Sequence, residues 1–193
     1  DPPNVERARG SAERILGDAN RAAAVIQRVR SLARHEAPKR ERVDLNETIG
    51  EAILFAQGEL DRGGISLTLE LAETLPVVLA DRVQLLQVVG NLLLNAIEAL
   101  ARVPEAERRI AIATTAEDPS VVMTIADSGM GFAAGAREQL FEAFWTTREG
   151  GTGIGLTISR AIVEAHGGRI WAAANAPSGA IFRVSLPISG ARQ

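Results

Sequence analysis

Gln87-Val-Val-Gly-Asn91-Leu-Leu-Leu-Asn95-Ala96-Ile-Glu98-Ala99 lies within a longer apolar-periodic segment that runs from Asp81 to about Leu100. The segment opens with Asp81-Arg-Val-Gln84, the spacing of a capping box, so a helix is expected to start there. Leu86, Val89, Leu93, Ala96 and Leu100 recur at three and four residues and form its apolar stripe. Gln84, Gln87, Asn91, Asn95 and Glu98 recur in the same way on another face. Asparagine is a poor mid-helix residue, because its amide competes for the backbone. Two of them one turn apart beside leucines therefore call for a reason. Amide oxygens suit a hard cation, and magnesium takes few protein oxygens alongside phosphate and water. Asn95 is then a candidate magnesium ligand, with Asn91 helping to hold phosphate or metal-bound water. A satisfied buried amide or a solvated face is the plainer alternative.

Two further clusters lie downstream. Asp127-Ser-Gly129-Met-Gly131 follows an expected strand, Val121–Ala126. A carboxylate at a strand end, turned by two glycines, can point into a pocket and accept a bond from an exocyclic amino group such as that of adenine. It can equally be a turn aspartate that caps backbone N–H groups. Gly151-Thr152-Gly153-Ile154-Gly155-Leu156 leads into a helix expected from about Thr152 to Gly167-Gly168. Glycines let backbone N–H groups meet an anion, and the helix start adds free donors and the positive dipole end. Arg148 can add a charge-assisted phosphate contact. The alternatives are a flexible glycine linker and a solvated arginine. The spacing is neither the dinucleotide fingerprint nor the lysine-bearing phosphate loop.

The remaining pattern is mixed. Asn46–Leu60 reads as a helix that stops near Gly63-Gly64, and Ile65, Leu67, Leu69 and Leu71 alternate as a strand. Strands are also expected at Arg109–Thr115, Arg169–Ala174 and Ala180–Leu186. Strands and helices that do not alternate strictly point to an α+β fold, a mixed sheet covered by helices on one face. Ahead of it, Ala8, Ala12, Ile15, Ala19, Ala22, Ile26, Val29 and Ala33 form a heptad seam. Such a helix needs a partner to bury its seam, or lies on its own domain. The expected organisation is a helix over 1–37, a polar linker over 38–42, a domain over 43–188 and a tail over 189–193.

The chain has 193 residues and a formal charge of -3, so no polyanion-seeking background makes nucleic acid a default partner. It has no cysteine, which excludes disulfides and thiolate metal sites and fits a reducing, cytoplasmic setting. No apolar run is long enough to span a bilayer, and no signal peptide opens the chain. It begins Asp1-Pro2-Pro3 without methionine, so it is expected to be a fragment. A membrane anchor or sensor would belong to the missing upstream part.

Taken together, these residues resemble the catalytic and ATP-binding domain of bacterial sensor histidine kinases, within the superfamily that includes gyrase, Hsp90 and MutL. Gln87–Ala99 is similar to the N box and Asp127–Gly131 to the first glycine box. Leu140-Phe141-Glu142-Ala143-Phe144-Trp145-Thr146-Thr147-Arg148 is similar to the F box, with arginine where many relatives carry lysine. Gly151–Leu156 is similar to the second glycine box. His166-Gly167-Gly168-Arg169-Ile170 and Gly179-Ala-Ile-Phe182 resemble the closing strands. The resemblance covers roughly 43–187. It implies a two-layer α/β sandwich of the Bergerat type, preceded by the second helix of a dimerisation bundle. It also implies Asp127 at the adenine amino group, Asn95 at Mg²⁺ and the glycine boxes beside the phosphates of ATP. Residues 131–150 would form a lid, with Phe141 and Phe144 packing it on the body. The candidate nucleotide-binding set is Asn91, Asn95, Glu98, Asp127, Gly129, Gly131, Thr147, Arg148, Gly151, Thr152, Gly153, Ile154, Gly155 and Leu156.

Hydrolysing relatives usually carry a water-activating glutamate where this chain has Asn91, which cannot act as a base. That favours phosphoryl transfer to a protein side chain over hydrolysis. The expected activity is protein histidine kinase. The acceptor helix is missing, so no catalytic residue is assigned and self-phosphorylation is not expected. The sequence has two histidines. His166, at a helix end, reads as structural. His35-Glu36 has Pro38 close behind and no return helix, which argues against an acceptor. The implied partners are a homodimer through the N-terminal helix and a response-regulator receiver domain. The alternatives are a nucleotide-binding regulatory module without transferase activity and a protein-serine kinase of the anti-sigma type.

Overall fold

The computed structural model describes residues 39–133, 135–146 and 153–189. The chain divides into two units, Asp1–Ala37 and Pro38–Gln193. The heptad seam Ala8–Ala33 and His35 lie outside the described residues.

The elements run β1 (Glu41–Val43), α1 (Leu45–Arg62), β2 (Ser66–Glu70), β3 (Val78–Ala80), α2 (Arg82–Ala99), β4 (Arg109–Glu117), β5 (Ser120–Asp127), α3 (Gly155–Ala165), β6 (Arg169–Ala174) and β7 (Ala180–Pro187). Five strands form one sheet in the order β2-β4-β5-β7-β6. The β2–β4 pair is parallel and the other three pairs are antiparallel. The helices cover one face, an α/β sandwich as the mixed order of strands and helices predicted.

Strand alternation selects the covered face. Ile110 and Ile112 on β4, Val121, Met123 and Ile125 on β5, and Phe182, Val184 and Leu186 on β7 are all buried. Register sets them side by side, with Ile112 opposite Ile125 and Ile125 opposite Phe182. Helix α1 contributes Ile49, Ala52, Ala56 and Leu60, and α3 contributes Ile158, Ile162 and Val163. Burying each larger side chain is worth about 2 kcal/mol, so this face carries most of the driving force. Helix α2 lies against both α1 and α3 as well as the sheet. It therefore buries Leu85, Val88 and Leu92 in addition to Val89, Leu93, Ala96 and Leu100, whereas Leu86 is only half-buried. The single stripe read from the sequence was too narrow, because a helix between two others needs apolar residues on both flanks.

The helix starts follow side-chain capping. Asp44 Oδ1 accepts the Asn46 N–H at 2.8 Å, and Asp81 Oδ1 accepts the Gln84 N–H at 3.1 Å. Two boundaries differ from expectation. Glu41 and Arg42 are not linker but strand, since β1 pairs antiparallel with β3 in a separate two-stranded sheet. That partner is remote along the chain, so no local pattern announces it. Helix α3 begins at Gly155 rather than about Thr152. Gly153 holds a left-handed φ of 63°, and its carbonyl accepts the Phe144 N–H at 3.0 Å, so it cannot be a helical residue.

Candidate nucleotide-binding site

Asp127 ends β5 on the helix-covered face and is 2% exposed. Its Oδ1 accepts the Gly129 N–H at 2.8 Å and the Ala180 N–H at 3.2 Å. Its own carbonyl accepts from Asn175 Nδ2 at 2.8 Å. The aspartate thus caps the turn, as the plainer alternative had it, and is also fixed under the helices, where a pocket carboxylate is needed. Gly179 makes this possible. It has φ 111°, and a Cβ there would run into the Asp127 carbonyl. Gly131, with φ 66°, also packs tightly, since a Cβ would lie 2.7 Å from the Gly179 carbonyl oxygen. The first glycine turn is therefore closed from behind by Asn175 and Gly179, neither of which the sequence reading placed in the site. The Gly179 signal was visible only as part of a strand motif.

Helix α2 meets both glycine elements. Asn91 Nδ2 donates to the Gly155 carbonyl and to Ser159 Oγ, each at 3.4 Å. Two turns on, Ala99 meets the first glycine turn, and a Cβ on Gly129 would lie 2.8 Å from both the Cβ and the carbonyl oxygen of Ala99. Asn95 lies midway, about 6 Å along the axis from each. Asn91, Asn95, Asp127, Gly129 and Gly155 therefore belong to one region on one side of the sheet. Glu98 is exposed near the end of α2, where it borders a cleft of about 340 Å³ with Arg62 and Arg108. A cleft of about 400 Å³ touches Asp127, but it also involves Ala111 and Ala126, which alternate onto the sheet's other face. Neither cleft coincides with the asparagine stripe.

Ile154 precedes α3, and its carbonyl accepts the Ile158 N–H at 3.0 Å; Leu156 packs partly buried against the core. Thr147, Arg148, Gly151 and Thr152 lie outside the described residues. In the segment between the glycine elements, Phe141 is 7% exposed and meets Phe182 edge-on at 6.5 Å. Thr157 Oγ1 on α3 donates to the Phe141 carbonyl at 3.1 Å. Phe144 does not pack as expected. It is 76% exposed with φ 67°, a backbone shape set by its bond to Gly153. His166 is 4% exposed; its Nε2 accepts the Asp81 N–H at 2.9 Å and its Nδ1 faces the Ile162 carbonyl at 2.8 Å. Those partners require the tautomer protonated at Nδ1 and leave neither nitrogen for chemistry.

Among the described residues, no group of three histidine, cysteine or acidic side chains can hold a metal. Asn91 and Asn95 offer neutral oxygens only. That donor set fits magnesium carried largely by phosphate oxygens and water rather than by a protein cage.

Residues 80–190 match the profile of the histidine kinase-, DNA gyrase B- and HSP90-like ATPases. The chain belongs to this family. Among individual proteins it is similar to the sensor histidine kinase TmoS of Ectopseudomonas mendocina, 36% identical over 98% of this chain and 20% of TmoS. The full-length ShkA in complex with AMPPNP superposes with a TM-score of 0.78 and 26% identity, covering 100% of this chain and 41% of ShkA. The histidine kinase ThkA in complex with the response regulator TrrA gives a TM-score of 0.77 and 26% identity, covering 100% of this chain and 54% of ThkA. The chain thus spans about a fifth of TmoS and about half or less of these two structures.

Proposed function

We propose that this chain is the ATP-binding catalytic part of a two-component sensor histidine kinase. The observation that carries the reading is helix α2, which ties the start of α3 at Asn91 to the Gly129 turn at Ala99, beside buried Asp127. Asp127 reads the adenine amino group. The backbone of the second glycine box and the start of α3 receive the phosphates. Asn95 and Asn91 hold Mg²⁺ and its water, and the ion supplies charge neutralisation at the phosphates. Glu98, Gly129, Gly131, Thr147, Arg148, Gly151, Thr152, Gly153, Ile154, Gly155 and Leu156 complete the nucleotide surface.

The chemistry is transfer of the γ-phosphoryl group to a histidine on a separate helix. The bond from the γ-phosphorus to its bridging oxygen breaks, and a nitrogen–phosphorus bond forms. ADP leaves, and the imidazole proton passes to solvent. This chain's contribution is positioning and electrostatic stabilisation, and Asn91 offers no base for attack by water. His166, with both ring nitrogens engaged, is not the acceptor. A homodimer through the N-terminal helix and a receiver domain are the proposed partners. ThkA, which superposes on this chain, is seen with a response regulator. The site of action is cytoplasmic. Among the described residues no helix is long and apolar enough to cross a membrane.

The test is calorimetry of ATP and ADP binding, with and without Mg²⁺, followed by transfer of labelled phosphate to a separately supplied pair of acceptor helices. Nucleotide binding with acid-labile transfer supports the reading. Binding without transfer moves it to a regulatory module. Acid-stable phosphoserine on a partner makes it a serine kinase.

A further inference from the structure

Ser159 is completely buried in α3, one turn after the second glycine box, and has no place in the nucleotide set read from the sequence. Its hydroxyl donates to the Gly155 carbonyl at 3.0 Å. The single hydroxyl proton is thereby used, and Ser159 Oγ offers only lone pairs to anything else. Asn91 faces two groups on α3, this Oγ and the Gly155 carbonyl oxygen, each at 3.4 Å. Both are acceptors. A side-chain amide facing two acceptors must turn its NH₂ toward them, because the opposite orientation sets oxygen against oxygen. The Asn91 Oδ1 then lies at the other end of the amide, away from α3.

We infer that Ser159 is a positioning residue, which fixes the orientation of the Asn91 amide so that this helix face presents oxygen, not NH₂, to a hydrated divalent cation. This rests on the nucleotide-site reading above. Without Ser159 Oγ, one of the two acceptors is lost. The Asn91 amide then keeps only the Gly155 carbonyl, which Ser159 also shares through its own helical N–H. The amide can rotate, and a rotated amide offers donors where a cation or its water needs an acceptor.

The experiment uses the full chain and measures ADP affinity by calorimetry across a Mg²⁺ titration, for the unaltered protein, Ser159→Ala, Asn91→Ala and the double variant. Far-UV circular dichroism and a melting curve accompany each. Ser159→Ala is expected to raise the Mg²⁺ concentration for half-maximal tightening about fivefold, the effect of one lost orienting hydrogen bond. Metal-free ADP affinity stays unchanged, and Ser159→Ala adds nothing once Asn91 is alanine. A Mg²⁺ midpoint that moves with Asn91→Ala but not with Ser159→Ala overturns the positioning role alone. So does an equal loss of metal-free and Mg²⁺-dependent binding, which marks a merely structural hydroxyl. Failure of the unaltered chain to bind ADP overturns the nucleotide reading and this inference with it.

Discussion

Asp127 does the turn-capping job, one of the two alternatives that the sequence set out, and the adenine contact is the job proposed for the same side chain. Oδ1 holds the turn through Gly129 and Ala180, and the buried carboxylate lies on the face where α2 and the glycine turn meet. Asp127→Asn retains an oxygen for those two N–H groups but puts a donor where the adenine amino group must donate. It is expected to weaken ADP binding about tenfold or more in calorimetry, while the melting temperature moves by only a few degrees. Asn95→Ala should flatten the Mg²⁺ dependence with less effect on metal-free binding. Gly179 is the residue whose importance only geometry reveals, because any side chain there meets the Asp127 carbonyl in a left-handed backbone. Gly179→Ala is expected to cost about 3 kcal/mol in urea unfolding, from strain and displacement of β7 together.

Elements explain why the pieces stay in register. Helix α3 is fixed at its start by Asn91 and at its end by His166, whose ring joins the Asp81 N–H, at the cap of α2, to the Ile162 carbonyl. One turn of α3 beyond Ile162, Arg40 donates to the Ala165 carbonyl at 2.8 Å, where a cation is favoured by the helix dipole. His166→Ala should therefore destabilise the domain by about 2–3 kcal/mol in denaturant unfolding, through two lost hydrogen bonds and a cavity. The aromatic pair of the intervening segment divides sharply. Phe141→Ala opens a hole against Phe182 and is expected to cost about 3 kcal/mol. Phe144→Gly removes little packing and relieves a positive φ, so stability should change by no more than about 1 kcal/mol. Equal losses at the two positions would contradict the assignment of one to the core and the other to the surface.

At the scale of the whole molecule, the prediction concerns phosphate. Incubated alone with labelled Mg-ATP, the full chain is expected to acquire little acid-labile phosphate, since its described histidine is buried and engaged. Strong labelling of His35 would overturn that expectation. The class of fold was legible in the sequence because binary patterning works locally. Three- and four-residue spacing marked α2, and alternation of Ile65, Leu67, Leu69 and Leu71 marked β2. The candidate site was legible because asparagines mid-helix and clustered glycines break local preference, and such breaks signal function. Sequence by itself thus determined the helices and the five strands of the main sheet, and which residues are chemically unusual. Tertiary structure alone decided that β1 pairs with β3, that Phe144 faces outward, that Asn175 and Gly179 close on the Asp127 backbone, and that Ser159 Oγ accepts from Asn91. Those outcomes depend on strand pairing, close backbone approach and hydrogen bonds between residues distant along the chain, and no local pattern encodes such contacts.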